Sequence, residues 1–186
     1  MKKTMVVLLT LMLTFSLTWL VGCGDGGGGS GGKTVTSSVV IGWIPLNVSL
    51  THPDSDSFRW STDAEDFMSD RQKAILLGPD FKISVDAQTN ELGGGFQGFK
   101  ERRAETYEIH DVEFGGLKGF AYNQGVSVGY NVFLEIPYAN LGIPEKTGVL
   151  WLQVYADTED KELLTEKFNS TEVQNILKTV ELTATS

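Results

Sequence analysis

The residues able to do chemistry in this chain are few and scattered. It has two histidines: His52 stands before Pro53 among acids, and His110 stands beside Asp111. A general base needs an orienting partner and a nucleophile within hydrogen-bond reach, and neither histidine has a companion at a recognisable spacing. Both read as surface or turn residues. No Gly-x-Ser-x-Gly elbow occurs. Gly93-Gly94-Gly95-Phe96-Gln97-Gly98 matches G-x-G-x-x-G, but residues 86–92 separate it from the preceding alternation and no second βα unit follows. A loop entering a helix is the better reading. Asp54-x-Asp56 begins like a calcium loop, yet Phe58 replaces the third oxygen ligand and Arg59 the glycine of the sharp turn. Asp157, Glu159 and Asp160 lie close together without loop spacing, and a zinc site would need more Cys or His. No catalytic set, metal or cofactor is expected. Aromatic side chains could form a platform for sugar rings or a hot spot for a protein partner. Trp151, between Leu150 and Leu152, reads as core, which leaves Trp60 and Tyr138 as the binding candidates.

Cys23 is the only cysteine, and its setting is specific. Lys2 and Lys3 give a positive start, residues 5–21 form an almost unbroken apolar run, and Leu20-Val21-Gly22-Cys23 stands where a cleavage site belongs. This segment resembles a bacterial lipoprotein signal with its lipobox. The resemblance implies that residues 1–22 are removed and that Cys23 becomes the N-terminus, its sulfur carrying a diacylglyceryl anchor. It also implies a place in the cell envelope on the extracytoplasmic side, with the membrane as partner. Gly24, rather than Asp, follows Cys23, which resembles the signal for the outer membrane where a host has two. A spanning helix is the competing reading, but the run sits at the short limit for a bilayer core of roughly 30 Å and carries Thr and Ser. With Cys23 acylated, thiol catalysis is excluded and no disulfide staples the domain. Stability must come from a buried core, which roughly 150 residues can supply.

Removing residues 1–22 takes away Lys2 and Lys3 and no acid, so the formal charge of −9 becomes −11. Such a surface repels phosphate backbones and anionic headgroups, which excludes nucleic acid as a partner. Residues 24–32 are glycine-rich and read as a flexible tether, completed by residues 34–38. The organisation expected is a signal at 1–22, a lipidated Cys and tether at 23–38, and one soluble domain at 39–186.

Within that domain, Val40, Ile44, Leu46, Val48 and Leu50 share one side of an extended strand, which Pro45 marks as an edge or a break. Thr62-Asp63-Ala64-Glu65 has the capping-box pattern, and the apolar spacing that follows predicts a helix up to Gly78-Pro79. Phe81, Ile83 and Val85 alternate with Lys82, Ser84 and Asp86, a strand with one wet face. Residues 96–106 fit a helix better than a strand. Gly115-Gly116 joins two apolar runs as a hairpin turn. Residues 126–136 alternate without a break in one apolar face, and residues 149–155 are apolar on both faces, as in a central strand. A helix at 171–177, capped by Ser170, and a closing strand around Leu182 end the chain. Antiparallel strands with helices between them give an α+β fold: an antiparallel sheet packed by two or three helices.

Val112-Glu113-Phe114-Gly115-Gly116-Leu117-Lys118-Gly119-Phe120, the long hairpin and the final helix and strand resemble the PsbP-like fold family, which includes many small bacterial lipoproteins. Alternatively, Leu134-Glu135-Ile136-Pro137-Tyr138-Ala139-Asn140-Leu141-Gly142-Ile143-Pro144 is similar to a stretch of family 9-like carbohydrate-binding modules. That second resemblance implies a β-sandwich binding a glycan or solute. The first reading is a non-catalytic lipoprotein whose domain binds an envelope protein or aids an assembly; a hydrolase ranks last.

Overall fold

Alternating apolar side chains along most of the chain build strands, and the strands sort into two antiparallel sheets. The computed structural model describes residues 31–41, 44–69, 71–89, 95–141 and 148–185. A three-stranded sheet has the order β1 (Gly32–Ile41), β2 (Ile44–Pro53), β10 (Glu181–Ala184). A seven-stranded sheet runs β3 (Arg59–Ser61), β4 (Gln72–Leu77), β5 (Phe81–Thr89), β9 (Gly148–Ala156), β8 (Tyr130–Leu134), β7 (Leu117–Asn123), β6 (His110–Phe114). Three helices accompany them: α1 (Gly95–Ala104), α2 (Lys161–Asn169) and α3 (Thr171–Leu177). The α+β class stands, with two sheets rather than one.

The large sheet buries side chains on both faces. On one face Ile83, Val85, Val132, Leu134, Leu150, Leu152 and Val154 meet Leu46, Val48 and Leu50 of the small sheet, with Leu164 and Phe168 of α2 and Val173, Ile176 and Leu177 of α3. On the other face Phe99 of α1 packs on Phe120, Tyr122, Phe133 and Val149, with Phe96, Tyr107 and Trp151 at the margin. Each fully buried aromatic of this kind contributes about 2–3 kcal/mol by transfer from water. Ser170 caps α3 through a bond from the Val173 amide, and Asp160 caps α2 through the Glu162 amide.

Several expectations need correction. Residues 62–77 are not a helix: a single 3₁₀ turn at Ala64–Asp66 is followed by β4. Ala74, Ile75 and Leu76 are all fully buried, and three successive buried residues suit a strand between two covered faces rather than a helix with one. Asp63, not Thr62, caps that turn, accepting from the Glu65 amide at 3.1 Å. Residues 32–38, assigned to the tether, belong to β1, so the domain starts earlier than residue 39. The first long strand is in fact the hairpin β1–β2, so Val39 points inward while Val40 is 51% exposed. Of the two readings of Pro45, the break holds, since β1 ends at Ile41 and the antiparallel β2 begins at Ile44, and the edge does not, since β2 is the middle strand of its sheet.

The strand expected over 126–136 shortens to β8, because Gly125 and Gly129 take φ of 108° and 91° and close a turn on the Gly125 carbonyl. The wet face expected on residues 82–86 is also wrong, since Ser84 and Asp86 are fully buried. The helix over 96–106, the Gly115-Gly116 hairpin, the doubly covered strand at 149–155, the final helix and the closing strand are all present. Helices α2 and α3 together form the helical tail that follows Asp157, and the short strand β3 adds an edge to the large sheet.

Candidate functional site

One face of the large sheet divides into an aromatic half beneath α1 and a polar half across β4, β5, β9 and β8. The pairing register sets this division. Trp151 stands opposite Asp86 and Phe133, Gln153 opposite Ser84 and Asn131, and Gln72 beside Asp86. Ser84, Asp86, Asn131, Gln72 and Gln153 are all buried. The amide of Met68 donates to Gln72 Oε1 at 2.6 Å, and Gln72 Nε2 donates to the Tyr155 hydroxyl at 3.2 Å. That hydroxyl donates to Gln153 Oε1 at 2.7 Å. Gln153 Nε2 reaches the Val128 carbonyl at 2.9 Å and Asn131 Oδ1 at 3.1 Å, while the Trp151 indole donates to the same Asn131 oxygen at 2.8 Å. Asn131 Nδ2 closes the chain on Gln124 Oε1 at 3.0 Å. Buried amides paired in this way fix strand register and the 124–129 turn.

Asp86 sits beside that chain. Ser84 Oγ donates to its Oδ2 at 2.7 Å, while Oδ1 is buried with no hydrogen-bond partner among the described residues. Burial pushes its pKa up to about 6, against smaller opposing effects of the Ser84 hydrogen bond, Lys73 and Arg71. Burial likewise raises Tyr155 to about 12, with Asp86 adding to the shift. A cleft of about 490 Å³ opens next to this assembly, lined by Met68, Phe81, Lys82, Val126, Tyr155 and Asp157. Tyr155 is the link between them, and its hydroxyl is already committed to Gln153 and Gln72.

A second cleft of about 370 Å³ holds the one histidine pairing with a phenol. His110 Nε2 lies 3.0 Å from the Tyr130 hydroxyl, and the Tyr130 ring stacks on Phe168 at 3.8 Å. Burial raises Tyr130 to about 12, so it remains a neutral phenol at neutral pH. His52, expected at the surface, is 4% exposed: its ring stacks on Phe58 and its Nδ1 lies 2.7 Å from the Pro53 carbonyl. The acids Asp54 and Asp56 are exposed in the following bend, and the described residues hold no cluster of three metal-ligating side chains. Of the glycine-rich match, residues 93–94 lie outside the described residues, and α1 begins at Gly95.

The two binding candidates stand apart. Tyr138 is 6% exposed, and its hydroxyl is held between the carbonyl and amide of Gly148 at 2.6 and 2.7 Å, so it locks a loop onto β9. Trp60 packs half-buried against the core between the sheets, its indole nitrogen buried without a partner among the described residues. Tyr138 therefore presents no aromatic face to solvent, whereas Trp60 stays partly accessible.

A feature that side-chain chemistry does not reveal is the set of sheet edges. An edge strand presents unpaired N–H and C=O groups, and proteins blunt such edges by shortness or charge. β3 has three residues, and Arg59 there is tied in a bidentate pair to Asp66 at 2.7 and 2.8 Å. β10 has four residues and begins at Glu181. β6 has five, with Asp111 paired to Lys100 and Glu113 exposed. β1 has ten, pairs with β2 alone among the described residues, and carries only Lys33 as charge, with no proline and no bulge. Its outward side chains form a hydroxyl ladder with β2: Thr34 with Thr51, and Thr36 with Ser49, each at 2.8 Å. The signal for this edge is in the sequence, as the β-branched and hydroxyl run from Thr34 to Val40 that follows Lys33, whose composition resembles a linker. Comparison with protein-family models, curated proteins and solved structures finds no match for this chain.

Proposed function

We propose that this chain is a lipid-anchored extracytoplasmic protein of the bacterial envelope whose domain binds another protein or supports an assembly at the membrane. The observation that carries this reading is the long β1 edge, unpaired on its outer side among the described residues, which begins nine residues beyond Cys23. A glycine-rich coil of that length spans about 15–20 Å, so an anchor at Cys23 would hold the β1 edge close to the bilayer surface. An exposed strand edge so placed suits β-augmentation, in which main-chain hydrogen bonds provide affinity. Tyr155, Gln153 and Asn131 are engaged with one another, which supports a positioning role for them. Glycan recognition through Tyr138 would require its ring at the surface, and it is buried. The acidic surface argues against nucleic acid and for a protein partner.

Fractionation of native-host cells tests the reading. The full chain should sediment with membranes and Cys23→Ser should appear in the soluble extracytoplasmic fraction. A photo-crosslinking residue at Thr36 should give protein adducts that the same residue at Lys161 does not. Equal partition of the two chains, or equal adducts from the two sites, would remove the proposal.

A further inference from the structure

The identity of the β1 partner follows from the side chains themselves. An antiparallel pair places residues of the same face opposite each other, so two copies of β1 can pair about a two-fold axis only with residue sums that are even. Residues 35–39 read Val-Thr-Ser-Ser-Val, which is nearly the same in both directions about Ser37. A two-fold axis at Ser37 sets Val35 against Val39 of the second copy, twice. Both valines face the core between the sheets, Val39 fully buried and Val35 packed at its margin. On the outer face the same axis sets Thr36 against Ser38 and Thr34 against Val40. Val40 is one of three large hydrophobics exposed on the described residues, at 51%, and this pairing gives it a β-branched neighbour. Shifting the axis by one residue would set Val35 or Val39 against Ser37 and lose the match.

Resting on the assembly reading above, we propose that β1 is the interface of a two-fold homodimer, in which a second copy of this chain continues the three-stranded sheet across paired β1 edges. The strand is neutral over residues 34–40, so the net acidity of the two domains does not meet at the seam. Thr34 and Thr36 are already ordered by their bonds to β2, so little side-chain freedom is lost on pairing.

The test uses the full chain in native-host membranes, where an acylated Cys23 leaves no competing thiol. Opposed residues in an antiparallel pair have Cα atoms about 4.5–5.5 Å apart, within disulfide reach. Co-expressed Thr36→Cys and Ser38→Cys chains, distinguishable by tags, should form a mixed disulfide dimer on mild oxidation. Thr34→Cys with Thr36→Cys, roughly 13 Å apart in this register, should not. As a second readout, the chain in detergent should have the mass of a dimer, and Thr36→Lys with Ser38→Lys should halve it with an unchanged circular-dichroism spectrum. No mixed disulfide from the opposed pair, crosslinks indifferent to register, or a dimer that survives the lysines would overturn the pairing. Release of the unmutated chain from membranes would instead overturn the anchoring reading and leave the pairing standing.

Discussion

Asp86 is the residue whose environment makes the sharpest claim. Its folded pKa of about 6 lies above the value near 4 of an unfolded chain, so the folded state holds the proton more tightly. Stability from this group is therefore fully present below about pH 4 and is lost as pH rises through about 6, by about 2–3 kcal/mol. Asp86→Asn keeps an acceptor for Ser84 and removes the titration. Urea unfolding of both chains should give equal stabilities near pH 4 and a variant more stable by about that amount at pH 7 to 8. Parallel pH profiles would show that the carboxyl is solvated. Asn131 makes a second claim, since its Oδ1 serves both Trp151 and Gln153. Asn131→Leu leaves the part-buried indole N–H and the buried Gln153 amide without this acceptor, at a cost of about 1–3 kcal/mol. In a Trp151→Phe background that cost should shrink, and a double-mutant cycle with no coupling would place the indole bond outside the stabilising network.

At the scale of elements, the β6–β7 turn carries a backbone constraint that two neighbouring glycines separate cleanly. Gly115 and Gly116 both have positive φ, 58° and 77°. A Cβ on Gly115 would lie 1.7 Å from the Val180 carbonyl oxygen, whereas one on Gly116 meets nothing within 4 Å. Gly116→Ala should cost about 1–2 kcal/mol from φ alone. Gly115→Ala should cost clearly more, because the chain entering β10 must shift. Equal thermal midpoints for the two variants would contradict this packing. The turn was legible in the sequence because glycine pairs leave a local mark, as did the doubly apolar β9 and the capped α3. β4 was not, because Ala64, Phe67, Met68 and Ile75 imitate helical spacing and only the flanking sheet makes three successive residues buried. β1 was hidden for a related reason. Its threonines and serines look like linker until β2 supplies the hydroxyl partners. The buried polar half of the large sheet was equally invisible, since Ser84 and Asp86 alternate like a wet face and only the register with Gln153 and Trp151 covers them.

For the molecule as a whole, two sheets and three helices among the described residues bury Phe99, Phe120, Tyr122, Phe133 and Phe168 and leave one long strand edge, β1, with Lys33 as its single charge. An edge of that kind is a hazard on a freely diffusing protein, where it pairs indiscriminately. Confined to a bilayer and oriented by a short tether, the same edge meets a restricted set of partners at high effective concentration. The account therefore depends on the anchor. Intact-mass measurement of the chain purified from native membranes tests it most directly. The predicted result is a chain beginning at Cys23 and heavier than its sequence by a diacylglyceryl group, with or without a third acyl chain on the amine. A mass matching residues 1–186 with an unmodified thiol at Cys23 would contradict the account.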